Sequence, residues 1–95
     1  MFKDLDPILH SQLRLSVISI LMSVEEANFS FIKEETQATS GNLSIQIKKL
    51  QGAGYIKVKK EFKNNYPNTS LSITKKGVEA FENYVANLKK YINPK

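Results

Sequence analysis

The sequence contains no cysteine, and this absence excludes several kinds of site at once. Without a thiolate there is no disulfide framework, no cysteine nucleophile and no cysteine-based zinc site. His10 is the only histidine, and the chain has neither a glycine-rich phosphate loop nor a nucleophile elbow. We therefore predict that the protein is not an enzyme, and that it uses no cofactor, no metal and no catalytic residue.

Long hydrophobic runs are also missing. The longest one, residues 13–24, is interrupted by Arg14 and by serines, and it is too short and too polar to span a bilayer. The first residues carry Asp4 and Asp6 where a signal peptide has basic side chains. These features predict a cytoplasmic protein with no membrane partner.

Positive charge is plentiful, and it is concentrated in one half of the chain. The 95 residues, 41% of them hydrophobic, suit one domain over residues 1–95 with one modest core. Residues 1–42 hold three basic side chains against six acidic ones (3 − 6 = −3), whereas residues 43–95 hold eleven lysines against three glutamates (11 − 3 = +8). A cationic half favours a polyanionic partner, although a lysine-rich surface can also be merely solvated.

The spacing of apolar residues predicts three helices in the first half of the chain. They are expected at residues 7–23, 31–37 and 40–53, with Asp6 and Ser30 as the N-caps of the first two. The first helix is apolar on two sides, which is typical of a helix central to a fold or shared with a partner chain. Only a tight link separates the second helix from the third.

A β-hairpin and a last helix follow in the second half. Alternating apolar residues predict strands at 55–62 and 71–73, joined by a long turn at residues 63–68. Thr74 is the expected N-cap of a helix over residues 75–92. The predicted order is therefore helix, helix, helix, hairpin, helix.

This order predicts an α+β, mainly helical fold of the winged helix-turn-helix class, with three helices, a β-hairpin wing and a C-terminal dimerisation helix. The helix-turn-helix covers residues 31–53, the wing 55–73 and the C-terminal helix 75–92. A helix about 10 Å wide fits the major groove of B-DNA, while a hairpin can carry lysines to phosphates or to the adjacent minor groove. We predict a transcriptional regulator that binds double-stranded DNA and is associated with the nucleoid when bound.

Residues 40–53 form the predicted recognition helix. Leu43, Ile47 and Leu50 recur at helical spacing and are expected to point inward, and Gly54 supplies the left-handed residue that ends the helix. The candidate DNA contacts on and beside this helix are Thr39, Ser40, Gly41, Asn42, Ser44, Ile45, Gln46, Lys48 and Lys49.

These candidates have different expected roles. Asn42 and Ser44 can form hydrogen bonds with bases or phosphates, and Ile45 can contact a thymine methyl group. The lysines are expected to bind phosphates, and Gln46 lies nearer the edge of the core. The alternative for Ile45 is contact with the wing or with another chain.

The wing carries a run of four lysines, Lys57, Lys59, Lys60 and Lys63, which favours phosphate contact over a merely solvated strand face. Alternation places Val58 and Lys60 on one face of its first strand. The wing residues predicted to bind DNA are Lys57, Lys59, Lys63, Asn64 and Asn65.

The last helix carries an apolar stripe at heptad spacing, formed by Val78, Phe81, Val85, Leu88 and Ile92. Such a stripe predicts pairing with a partner helix, and the alternative is packing against the chain's own first helix. The predicted dimer interface consists of Leu15, Ile18, Phe81, Tyr84, Val85, Leu88, Tyr91 and Ile92.

Several segments together carry a resemblance to a known family. They are Thr39-Ser40-Gly41-Asn42-Leu43-Ser44, Gly54-Tyr55-Ile56, Lys60-Glu61-Phe62 and Leu71-Ser72-Ile73-Thr74-Lys75-Lys76-Gly77. In these the chain resembles the small winged-helix transcriptional regulators of the MarR and ArsR groups, over nearly its whole length. The resemblance implies a homodimer on pseudo-palindromic DNA, with the recognition helix in the major groove and the wing on the flanking backbone.

The chain departs from that family at positions where relatives usually carry arginine or histidine. Here those positions hold Ile45 and Gln46 in the helix, and Asn64 and Asn68 near the wing tip. The departure implies a specificity that depends more on DNA shape. Metal sensing of the ArsR type is not supported, since its cysteine and histidine clusters are missing.

Two other binding functions are compatible with the same fold. A winged helix can serve as a protein-interaction module in a larger assembly, and such a surface is expected to be more aromatic and less cationic at its centre. RNA binding is the other, but the sequence lacks the surface aromatics typical of single-strand readers.

Overall fold

The computed structural model describes residues 2–93 and contains the predicted order of elements. The helices and strands are α1 (Gln12–Met22), β1 (Ala27–Asn28), α2 (Phe29–Thr36), α3 (Ser40–Gly52), β2 (Ile56–Lys63), β3 (Tyr66–Ile73) and α4 (Lys75–Ile92). Three helices, a hairpin and a fourth helix are the winged helix-turn-helix arrangement, so the predicted fold class is confirmed.

The core lies where α1, α2 and α3 meet the base of the hairpin. In α3, Leu43, Ile47 and Leu50 point inward as predicted. Each fully buried aliphatic side chain contributes roughly 1.5–3 kcal/mol through removal from water. The side chains with no exposed surface are Leu9, Val17, Ile18, Leu21, Ile32, Leu43, Leu50 and Leu71.

The sheet has three antiparallel strands in the order β1-β3-β2. In the hairpin, Ile56 lies opposite Ile73 and Lys63 opposite Tyr66. The short strand β1 was not predicted, because two residues are too few to show any periodicity. It forms through pairing of Ala27 with Leu71 in β3, a contact between segments far apart in the sequence.

The wing tip is tighter than predicted. Instead of a long turn over residues 63–68, only Asn64 and Asn65 lie outside the paired strands. Both have positive φ angles, 51° and 68°, as a two-residue type I′ hairpin turn requires, and asparagine tolerates this conformation better than most residues. Pro67 is part of β3, which it can join because β1 does not extend far enough to need its missing N–H.

The first helix is shorter than predicted. Residues 7–9 form a separate turn, in which Oδ1 of Asp6 accepts a hydrogen bond from the backbone N–H of Ile8 at 2.8 Å. The backbone becomes extended at Ser11, and α1 begins at the next residue. This break in the helix accompanies the complete burial of Leu9, which belongs to the core.

The second helix begins two residues earlier than predicted, at Phe29. Its N-cap is Asn28 and not Ser30, since Oδ1 of Asn28 accepts a hydrogen bond from the N–H of Phe31 at 2.8 Å. Asn28 is extended, and it lies opposite Ser70 in the sheet. A strand contact therefore positions the start of the helix-turn-helix.

Helix α4 starts at the predicted N-cap. Oγ1 of Thr74 accepts a hydrogen bond from the N–H of Gly77 at 3.0 Å and donates one to the carbonyl oxygen of Gly54 at 2.7 Å. Gly54 has the expected left-handed φ of 80°. One threonine thus links the end of α3, the base of the wing and the start of α4.

Candidate nucleic-acid interface

An open groove of about 380 Å³ separates the recognition helix α3 from the wing. The helix contributes three polar side chains, and the wing contributes residues from both of its strands. The lining residues are Phe29, Ser44, Ile47, Lys48, Gln51, Val58, Lys60 and Thr69. The groove brings one lysine of the helix and one lysine of the wing to the same side of the molecule.

The outward face of α3 lies opposite its buried residues. At 100° per residue, Gly41, Ile45 and Lys48 share this face, and all three are exposed. Ile45 retains 54% of its surface and does not line the groove. The alternative in which Ile45 packs against the wing is therefore not what the structure shows.

The other flank of α3 contacts α1 through hydrogen bonds. The guanidinium of Arg14 donates to Oε1 of Gln46, and Nε2 of Gln46 donates to Oδ1 of Asn42 at 2.9 Å. Gln46, which was predicted to contact DNA, is thus engaged within the protein at both ends of its amide. Sequence reasoning missed this role of Arg14, since the two residues are 32 positions apart.

The lysines of the wing lie on two different faces. Val58 and Lys60 line the groove beside α3, so alternation along the strand places Lys57 and Lys59 on the opposite face. Lys59 also lies 3.6 Å from the carboxylate of Glu61. The structure therefore favours Lys60 as the wing lysine nearest the recognition helix, ahead of the predicted Lys57 and Lys59.

Two aromatic rings at the wing tip were not among the predicted site residues. Phe62 and Tyr66 keep 76% and 74% of their surface exposed. Both lie farther along the hairpin than the strand residues that reach the core. They flank the turn at Asn64 and Asn65, and Lys63 lies directly opposite Tyr66. The tip thus presents aromatic rings and amide groups together with a lysine, so the expectation that the chain lacks surface aromatics is wrong.

Comparison with known proteins identifies the kind of domain. Residues 13–92 match the family of winged helix DNA-binding domains. The chain belongs to this family. The family and fold are those of transcriptional regulators, which are not enzymes, so the predictions that the chain binds DNA and is not an enzyme are confirmed.

Relatives of this winged helix domain support the same class. A transcriptional regulator homologue from Pyrococcus horikoshii shares 31% identity and superposes with a TM-score of 0.85, covering 92% of this chain and 86% of that one. An uncharacterized protein of Methanocaldococcus jannaschii is 35% identical over 78 residues, 82% of this chain and 85% of its own length. A MarR-family regulator from Silicibacter pomeroyi, at 13% identity, shares the fold with a TM-score of 0.67, over 86% of this chain and 54% of its own.

The residues predicted for dimerisation divide into two groups in this winged helix domain. Ile18 is completely buried and Tyr84 is 5% exposed, so both belong to the chain's own core and offer almost no surface to a partner. Those with surface remaining are the half-buried Leu15, Phe81, Val85 and Leu88 and the exposed Tyr91 and Ile92. Leu15, Phe81 and Leu88 also pack against the core cluster.

The segment before α1 lies along α4. Nδ1 of His10 is 3.1 Å from the hydroxyl of Tyr84, and the hydroxyl of Tyr91 donates a hydrogen bond to the carbonyl oxygen of Lys3 at 2.8 Å.

Asp6 accepts a hydrogen bond from the hydroxyl of Tyr55. Burial, followed by this hydrogen bond and the carboxylate's charge, raises the pKa of Tyr55 to about 12, so the hydroxyl stays a donor at neutral pH.

Residues 2–93 contain neither a membrane-spanning helix nor a cluster of metal-ligating side chains. None of the helices there is long and apolar enough to cross a membrane. Across the same residues, no three side chains of histidine, aspartate or glutamate are grouped as a metal ion would need.

Proposed function

We propose that the chain is a sequence-specific transcriptional regulator that acts as a homodimer on double-stranded DNA, with α3 in the major groove and the wing on the flanking backbone. One observation carries this proposal. The exposed outward face of α3 lies beside a groove that is lined by both Lys48 of the helix and Lys60 of the wing. The family to which the chain belongs is one of DNA-binding domains.

The dimensions and chemistry of α3 suit the major groove. An α-helix with its side chains is about 10–12 Å across, and the major groove of B-DNA is about 12 Å wide. Ile45, exposed at the centre of the outward face, can contact a thymine methyl group. Asn42 and Ser44 flank it and can reach base edges, while Lys48 and Lys49 bind phosphates.

The wing extends the same surface. With α3 in the groove, the face that carries Lys60 lies toward the DNA backbone, and Lys63 lies at the tip beside the turn. The ring of Phe62, on the face of β2 that also carries Lys60, offers apolar surface to the sugars of the adjacent minor groove. In this arrangement the lysines supply binding affinity for the DNA backbone, and the wing tip fits the shape of the minor groove.

The homodimer places two recognition helices on one duplex. In α4, Val78, Val85 and Ile92 recur at intervals of seven on the side next to the core-facing residues, and they are not part of the chain's own core cluster. A two-fold axis through this surface would separate the helices by about 34 Å, one turn of DNA. A regulator of this kind acts in the cytoplasm, where it associates with the nucleoid.

Titration against duplex DNA at several salt concentrations tests the proposal. Because lysines displace counterions from phosphates, the logarithm of the association constant should fall linearly with the logarithm of salt concentration, with a slope of roughly −0.9 for each phosphate contacted. A slope corresponding to several contacts is the expected result. Absent or salt-insensitive binding to genomic fragments would overturn the proposal and favour a protein-docking role for the same fold.

A further inference from the structure

Arg14 is the only arginine in the chain, and it contacts the protein's own backbone on one side. Its Nε donates to the carbonyl oxygen of Ile8 at 2.6 Å, and Nη2 lies 3.4 Å from the carbonyl oxygen of Pro7. Nη1 donates to Oε1 of Gln46 in the recognition helix. The half-buried guanidinium is therefore held at a fixed place against one flank of α3.

The chemistry of the guanidinium determines how the Gln46 amide is oriented. An arginine has only N–H donors, so the side of the amide that faces Arg14 must be its carbonyl oxygen. The NH₂ group of Gln46 then points along the helix toward Asn42, one turn earlier, at 2.9 Å from Oδ1. Because Gln46 donates there, Asn42 must turn its carbonyl oxygen toward Gln46.

Asn42 consequently has one side of its amide engaged and the other side free. Its carbonyl oxygen accepts the hydrogen bond from Gln46, and its backbone N–H is taken by Oγ1 of Thr39 at 3.2 Å. The side-chain NH₂ group makes no hydrogen bond with the rest of residues 2–93. Asn42 is exposed at the edge of the outward face of α3, so this NH₂ group is what it offers to DNA.

We propose that Arg14 and Gln46 are positioning residues that orient the Asn42 amide as a donor, so that Asn42 selects keto bases over amino bases. This inference rests on the proposed function. In the major groove, guanine presents two acceptors, N7 and O6, and thymine presents the acceptor O4. Adenine places a donor amino group beside its acceptor N7, and cytosine presents only an amino donor, so both oppose a lone NH₂ group. An unconstrained asparagine favours adenine, because it uses its oxygen and its NH₂ group together. Here the oxygen is turned toward Gln46, whose hydrogen bond it accepts, and the NH₂ group is the part directed away from Gln46.

Substitution of Gln46 by residues of similar length tests the orientation directly. In Gln46→Glu, the new carboxylate still accepts from Arg14, but it cannot donate to Asn42. The Asn42 amide must then rotate to donate to the carboxylate, which turns its oxygen toward the DNA. In Gln46→Met the side chain neither donates nor accepts a conventional hydrogen bond, so either orientation of Asn42 is allowed.

The measurement is selection of bound duplexes from a library of random sequence by the wild-type protein and by each variant. Asn42→Ala identifies the base position that Asn42 contacts, as the one whose preference is lost. At that position the wild type should favour guanine or thymine, on the order of ten-fold over adenine or cytosine. Gln46→Glu should reverse the preference, and Gln46→Met should shift it to adenine, as for an unconstrained asparagine, each with cooperative thermal unfolding retained.

Each other outcome has a defined meaning. An unchanged base preference in both Gln46 variants, or a preference for adenine in the wild type, would overturn the inference and leave the proposed function intact. No enrichment of any sequence by the wild type would overturn both. If a variant does not fold, side-chain amide protons of the wild type decide by NMR: one of the two Gln46 protons, and neither of the Asn42 protons, should show the small temperature coefficient of a hydrogen-bonded proton.

Discussion

At the scale of single residues, Gly77 shows how closely α4 approaches the base of the wing. A Cβ atom at this position would lie 2.2 Å from the backbone oxygen of Tyr55 and 2.9 Å from Cγ1 of Ile73. The backbone oxygen cannot move away alone, because it accepts a hydrogen bond from the N–H of Thr74 at 3.0 Å. Glycine is needed here for close packing and not for a special backbone angle, as Gly77 lies within the helix.

We expect Gly77→Ala to lower the free energy of unfolding by about 2 kcal/mol or more, because the added methyl group forces α4 away from the wing. Gly52→Ala is the matched control, since nothing lies within 4 Å of the position its Cβ would take. That change should be neutral or raise stability by up to about 1 kcal/mol, through better helix propensity. Urea denaturation followed by circular dichroism measures both, and equal effects of the two substitutions would contradict the packing argument.

At the scale of elements, the wing has one face toward the recognition helix and one face away from it. Side chains alternate between the two faces of a strand, so the position of one residue assigns the face of every other. Val58 lines the groove beside α3, which identifies the face that points toward that helix. Lys57 and Lys60 are close in sequence and both exposed, yet they lie on opposite faces. They form a matched pair for testing which face contacts DNA.

Lys60→Ala should weaken binding to all duplexes alike and reduce the salt-dependence slope by about one, as expected for a lost phosphate contact. Lys57→Ala removes the same charge from the other face and should have a smaller effect on the slope. Fluorescence anisotropy with a labelled duplex at several salt concentrations measures both slopes. A larger loss for Lys57→Ala would mean that the DNA approaches the opposite face of the wing.

At the scale of the whole molecule, α4 extends beyond the part of the chain that the core covers. Its first turns pack through Gly77 and its middle through Tyr84, both buried. Ile92, the last residue of α4, is 74% exposed. An apolar residue that is exposed in the single chain can be changed without disturbing its core, which makes Ile92 suitable for testing the proposed homodimer.

We expect Ile92→Glu to shift the protein from dimer to monomer, because two-fold symmetry brings both new charges into one interface. Asn83→Glu is the control, since it adds the same charge to an exposed position elsewhere on α4. Sedimentation velocity at micromolar concentrations distinguishes the two species. The proposed dimer would be wrong if the wild-type protein sediments as a monomer under these conditions.

Features that depend on neighbouring residues were predictable from the sequence alone. The inward stripe of Leu43, Ile47 and Leu50, the cap at Thr74 and the left-handed Gly54 each follow from local spacing or backbone preference, and the structure has all three. Periodicity and capping are properties of a short segment, so they can be read without knowing what packs against it. The order of elements and the winged helix class also follow from periodicity and capping.

Features that depend on distant residues were decided only by tertiary packing. The strand at Ala27–Asn28 exists because β3 pairs with it, and the burial of Ile18 and Tyr84 reflects the helices around them. The most consequential case is Gln46, a predicted DNA contact, whose amide accepts a hydrogen bond from the distant Arg14 and donates one to Asn42. Sequence alone determined that α3 is a helix with an inward apolar stripe and an exposed outward face, and the packing of α1 and the wing against its two flanks determined which of its side chains remain unengaged.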